Sequence, residues 1–210
     1  MSDAIYIKDL EKLEDFINNL DGLMAEMYRS QNEVNAAYNR VEDWNDEVFM
    51  FAGSALFQSG DNIEAAGEFL GEKMDALNEY GYRINCEYAE YAEWNGKFAS
   101  RELEVRLNLE GERMVRAILG TRVEGIMSFE KELDRYIEDT DKNVQGIVRE
   151  LEIVSEYWND SNYRKIEEYV SDFQKDMDDI LTDLSDMLEE IIKRRKKLQE
   201  ANDEMARKMR

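Results

Sequence analysis

Ile166-Glu167-Glu168-Tyr169-Val170-Ser171-Asp172-Phe173-Gln174-Lys175-Asp176-Met177-Asp178-Asp179-Ile180-Leu181-Thr182-Asp183-Leu184-Ser185-Asp186-Met187-Leu188-Glu189-Glu190-Ile191-Ile192 decides the fold. Its apolar residues (Ile166, Tyr169, Val170, Phe173, Met177, Ile180, Leu181, Leu184, Leu188, Ile191, Ile192) recur mostly in steps of three and four, with charged residues at most other positions. This is the signature of one apolar stripe on an α-helix. Working outward, the same stepping governs Leu10, Leu13, Phe16, Ile17, Leu20, Leu23, Met24 and Met27, and continues through Val34, Ala37 and Val41. No stretch alternates with period two for long enough to read as a strand. The chain has 210 residues and no proline, against a usual share of ~5%, so nothing of that kind interrupts a helix interior. The expectation is an all-α fold of long antiparallel helical hairpins packed as an elongated bundle. Its helices should cover about 4–42, 46–57, 61–92, 98–156 and 161–207.

The interruptions fall where Gly, Asn, Asp and Ser cluster. They are Trp44-Asn45-Asp46, Gln58-Ser59-Gly60-Asp61, Trp94-Asn95-Gly96 and Trp158-Asn159-Asp160-Ser161, with a weaker candidate between Gly120 and Gly125. Asn tolerates the left-handed backbone at a helix end, and Asp or Ser caps the helix that follows. Asp61 with Glu64 has the spacing of a capping box. All three tryptophans of the chain stand in this one context, which reads as an internal repeat. At a hairpin tip two helices diverge, and an indole fills the gap while its N–H reaches a free carbonyl at the helix end. The expected organisation is an N-terminal unit over 1–57, a middle hairpin over 58–120 and a C-terminal hairpin over 121–210.

These turns resemble the WXG-type (ESAT-like) helical-hairpin proteins of type VII secretion systems, in tandem or enlarged form. Trp94-Asn95-Gly96 matches the family's Trp-x-Gly turn, and Trp44-Asn45-Asp46 and Trp158-Asn159-Asp160 look like its Trp-x-Asp variant. The resemblance implies helical hairpins that pair with other helical hairpins, and a role as substrate, partner or chaperone of such a system. The family's export signal is a tyrosine four residues before an acid, placed after the second helix. Here Tyr163 with Glu167 and Tyr38 with Glu42 have that spacing, but they lie beside the turns.

Composition excludes much chemistry. There is no histidine and one cysteine, Cys86. That rules out a Ser–His–Asp triad, a Cys–His dyad and the usual ligand sets of structural zinc. The many carboxylates form i, i+4 neighbours without any sign of convergence in a cleft. Gly120-Thr121-Arg122-Val123-Glu124-Gly125 lacks the Lys-Ser/Thr of a phosphate cradle. The reading is therefore non-enzymatic, with no catalytic residue, cofactor or metal. The alternative to a secretion partner is a structural or scaffolding protein of a phage or another bacterial assembly.

Net charge is −22. The segment 193–210 carries +5, with eight Lys and Arg against Glu200, Asp203 and Glu204, and the remainder carries −27. An acidic body repels nucleic acid and anionic membrane at long range. The most apolar window, Val48-Phe49-Met50-Phe51-Ala52-Gly53-Ser54-Ala55-Leu56-Phe57, falls far short of the ~20 residues a membrane span needs. The expected location is the cytoplasm, or outside the cell by a route independent of classical signals. That window is apolar on every side, so Val48, Phe49, Phe51, Leu56 and Phe57 are candidate interface residues. The expected partner is a protein, either a second copy or another helical hairpin, with no nucleic acid. Like charge on both copies demands an apolar centre in any self-pair.

Overall fold

A computed structural model of the chain describes residues 7–41, 46–88, 93–109 and 123–208. Four helices account for 84% of them: α1 (Leu10–Asn39), α2 (Glu47–Tyr88), α3 (Val123–Ser155) and α4 (Ser161–Lys208). The fold is all-α. The only strand-like pairing among the described residues is one antiparallel bridge between Ile7 and Trp158.

Two expectations about the helices are corrected. Gln58-Ser59-Gly60-Asp61 does not end a helix, since α2 runs through it. Ser59 and Gly60 are buried there, and a Cβ on Gly60 would stand 3.1 Å from Leu103. Small residues at this point admit a neighbour instead of turning the chain. The helix expected over 98–156 is found over Val123–Ser155 only, among the described residues, and residues 93–109 are non-helical.

The chain divides into two compact units, each drawn from three separated stretches. They do not coincide with the consecutive segments 1–57, 58–120 and 121–210. The first unit comprises Met1–Arg29, Asp61–Glu102 and Thr140–Asp178. Leu13, Phe16, Ile17, Leu20 and Met24 of α1 are buried there, with Leu70 and Met74 of α2, Ile147 and Leu151 of α3, and Ile166, Val170 and Met177 of α4. Each set is one apolar stripe turned inward, which is how amphipathic helices hide their apolar faces. Phe69 and Tyr169 stack with centroids 3.9 Å apart.

The second unit comprises Ser30–Gly60, Leu103–Asp139 and Asp179–Arg210. Its centre is aromatic. Tyr38 stacks on Phe49 at 4.3 Å, and Phe129 meets both rings edge-on at 5.6 and 5.2 Å. A buried polar network lies in the same unit. The Tyr136 hydroxyl donates to Gln31 Oε1 and is also bonded to Ser59 Oγ. Gln31 Nε2 donates to the Leu56 carbonyl at 3.0 Å and to Asn35 Oδ1 at 2.9 Å. Polar groups joined this way avoid the cost of burial without a partner.

Candidate interaction surface

Asp160 opens α4. Its Oδ1 accepts the N–H groups of Asn162 at 2.8 Å and Tyr163 at 3.1 Å, an N-cap on two of the helix's free donors. Trp158, 1% exposed, lies edge-on to Phe16 and Tyr163, with centroids 6.4 and 5.6 Å away. Its indole N–H finds no acceptor among the described residues, so here the ring acts through apolar area and not through the expected bond to a carbonyl. Asn159 is exposed in the five-residue connection between α3 and α4. Burial, followed by nearby Glu167, pushes the Tyr163 phenol up to about 12.

Asp46 plays the same capping part for α2: its Oδ1 accepts the Val48 N–H at 2.9 Å. Both of its carboxylate oxygens also accept from the single nitrogen Arg194 Nη1, Oδ1 at 2.9 Å and Oδ2 at 2.8 Å. Trp44 and Asn45, named with it as a turn motif, lie outside the described residues.

Trp94-Asn95-Gly96 joins no pair of helices. It begins an extended segment whose backbone is held by side chains of α1. In the first unit Asn18 Oδ1 accepts the Lys97 N–H at 2.9 Å, and Asp21 Oδ1 accepts the Ala99 N–H at 2.7 Å together with Arg101 Nη2 at 2.6 Å. In the second unit Asn32 and Asn35 bond the N–H and C=O of Val105, while Asn39 bonds the Arg106 carbonyl and the Asn108 N–H. Half-buried Trp94 donates from its indole to Asn78 Oδ1 at 3.2 Å. It covers Gly81, where any Cβ would come within 2.8 Å of the ring. Asn95 is exposed and Gly96 half-buried.

The apolar window 48–57 splits between core and surface. Phe49 and Leu56 are fully buried inside the second unit, so they are core residues and not interface residues. Val48 is half-buried. Phe51 and Phe57 are 53% and 50% exposed, joined by Met50 at 50%, which the sequence reading had not singled out. The signal for Met50 was its seven-residue separation from Phe57, which places both on one helix face. Exposed Ser54 lies between Met50 and Phe57 on that face, and Phe51 stands one residue round the helix from Met50. Glu47 stands before this face and Asp61 after it, both exposed.

The basic run of α4 is partly used within the second unit. Arg195 pairs with Glu130 at 2.7 Å, the two side chains only 11% and 10% exposed. Hydrogen bonds from Lys193 and Arg194 hold the Glu190 carboxyl below its ordinary range, and Asp46 and Glu190 raise the Arg194 guanidinium. Among the described residues, no group of three or more acidic or thiol side chains is placed to hold a metal ion. No described helix is long and apolar enough to cross a membrane. No protein-family model, curated protein or solved structure matches this chain.

Proposed function

We propose that this chain is a non-enzymatic helical interaction protein that serves as a substrate, partner or chaperone of a type VII-like secretion system. The observation that carries the interaction reading is the apolar patch of Met50, Phe51 and Phe57, about half exposed on a helix of an otherwise strongly charged chain. Contiguous exposed apolar surface rimmed by charge marks a docking surface more often than chance. Met50, Ser54 and Phe57 follow one another at i, i+4 and i+7 along one line of the helix, beside Phe51, and such a line suits the face of a partner helix. The Trp-x-Asp turn chemistry around Trp158 and Asp160 supplies the link to secretion hairpins. The competing reading, a scaffold of a phage or bacterial assembly, would use the same patch.

Proximity labelling in the source cell separates the two. The comparison is wild type against the double variant Phe51→Asp, Phe57→Asp, with helicity checked by circular dichroism. The expected outcome is that wild type labels a helical-hairpin protein or a secretion ATPase, and that the variant loses this labelling. Labelling of virion or scaffold proteins instead, or labelling indifferent to the variant, would overturn the proposal.

A further inference from the structure

The α2 face has a neighbour of opposite character on α4. Arg194 reaches Asp46 at the start of α2, which fixes where the two helices adjoin in the second unit. Leu184, Leu188 and Ile191 are buried, whereas every residue from 199 to 208 is exposed. The part of α4 that packs in this unit is therefore the part before Arg194, and it runs along α2 in the opposite direction. Steps of four, eight and eleven residues on from Asp46 reach Met50, Ser54 and Phe57. The same steps back from Arg194 reach Glu190, Asp186 and Asp183. By the helical period, each set lies on the side of its own helix that carries the Asp46–Arg194 contact.

The seam between the helices is thus apolar on its α2 side and acidic on its α4 side. Met50 and Phe57 are each 50% exposed, and Asp183 and Asp186 are exposed. Glu190 is paired with Lys193 and Arg194, so the row is neutralised at its end beside Asp46. Asp183 and Asp186 form no ion pair among the described residues. Free carboxylates along an exposed apolar strip, on a chain of net charge −22, attract and orient a partner that carries cations. A second copy of the same seam is the wrong partner. Laid face to face, two copies would bring their Asp183 and Asp186 rows together with no cation between them.

We infer that this seam binds a cationic amphipathic helix of another protein. The apolar side of that helix covers Met50 and Phe57, and Lys or Arg residues on its flank pair with Asp183 and Asp186. The contact then has an apolar centre and a charged rim, as interfaces commonly do, and a helix laid in a groove supplies its geometry. The inference rests on the reading of the α2 face as a docking surface, and adds the charge and form of what docks there.

The test titrates the full-length chain against fluorescent peptides and follows anisotropy. The probe is a Leu/Lys peptide of about 18 residues, roughly 27 Å as a helix, with its leucines on one helix face. A second peptide carries Glu in place of Lys, and a third keeps the Leu/Lys composition but spreads the leucines round the helix. The first should bind at about 10 µM or tighter, and each of the others about tenfold or more weakly. Met50→Gln with Phe57→Gln should weaken the first peptide about tenfold, and Asp183→Asn with Asp186→Asn should do the same while reducing its sensitivity to salt. The control, Asp141→Asn with Glu152→Gln, removes the same charge from α3 and should change binding less than twofold. All substituted positions are exposed, and circular dichroism verifies folding. Three peptides that bind alike, seam variants that bind like wild type, or a control that loses as much as the Asp183 and Asp186 pair would each overturn the inference. A chain that sediments as a dimer which the Leu/Lys peptide does not dissociate would assign the seam to a second copy and overturn it too. The two proposals fail separately. Labelling in the cell that depends on Phe51 and Phe57 survives a failure of the peptides to discriminate, and labelling indifferent to those residues leaves the peptide titration unchanged.

Discussion

Trp94 and Trp158 belong to one unit and to nearly identical tripeptides, Trp-Asn-Gly and Trp-Asn-Asp, yet they do opposite things. The Trp158 indole is buried without a hydrogen bond among the described residues, in a tight connection between two helices. Trp94 is half-buried, hydrogen-bonded to Asn78, and starts an extended segment. The third residue makes the difference. Asp160 offers a carboxylate that satisfies two N–H groups of the next helix, whereas Gly96 has no side chain to offer. After Gly96 the free backbone groups are met from elsewhere, by Asn18 and Asp21 of α1. A tryptophan fills space at either kind of site, but the cap decides whether a helix follows.

The largest expected effect tests this contrast directly. Trp158→Ala removes a fully buried indole and should cost about 3–5 kcal/mol. Trp94→Ala removes a half-exposed one and should cost about 1–2 kcal/mol. Denaturant unfolding of the two variants measures both. Equal losses would mean that the two rings do the same work, and the comparison would fail.

The next effect sharpens the account of the extended segment. Asp21→Ala leaves the Ala99 N–H and the Arg101 guanidinium without their shared acceptor, at sites about one-fifth exposed. The expected loss is about 1–3 kcal/mol. It should appear first as faster hydrogen exchange at Ala99, with the amides of α4 unchanged. Uniform acceleration across both would show that the segment is part of the global core and not a separately held strap.

How far the sequence led can be judged at particular residues. The stripe from Ile166 to Ile192 announced α4 because an amphipathic period needs no tertiary information. Asp46 and Asp160 were legible as caps because a cap is a local bond. Gly60 misled because glycine ends helices and also admits close neighbours, and only the position of Leu103 distinguishes the two. The segment 93–109 was not legible. Its backbone partners, Asn18, Asp21, Asn32, Asn35 and Asn39, lie some seventy to eighty residues away in sequence, and asparagines on α1 look like ordinary surface residues until the segment is laid across them. The apolar window showed the same limit: composition marked it as unusual, but only packing divided Phe49 and Leu56 from Phe51 and Phe57.

The smallest effect near neutral pH, and the most specific, concerns Tyr163 beside Trp158. Its hydroxyl stands 3.2 Å from both the Leu151 carbonyl and Glu167 Oε1, and its pKa is pushed up to about 12 by burial and then by that carboxylate. The unfolded chain releases this proton near 10. Between these values the folded state holds the proton more tightly than the unfolded state, so stability falls as pH rises. Below about 10 both states are protonated and the contribution is complete. Tyr163→Phe loses the hydroxyl bonds and should be less stable by about 1 kcal/mol near neutral pH. It also cannot ionise, so the gap to wild type should close as pH climbs from about 10 towards 12. Trp94 has no such phenol in ring contact among the described residues, and a substitution there should shift stability equally at every pH. Denaturant midpoints for the three proteins over this range decide the matter: a gap between Tyr163→Phe and wild type that stays constant with pH would show that the fold does not discriminate between phenol and phenolate beside the Trp158 turn.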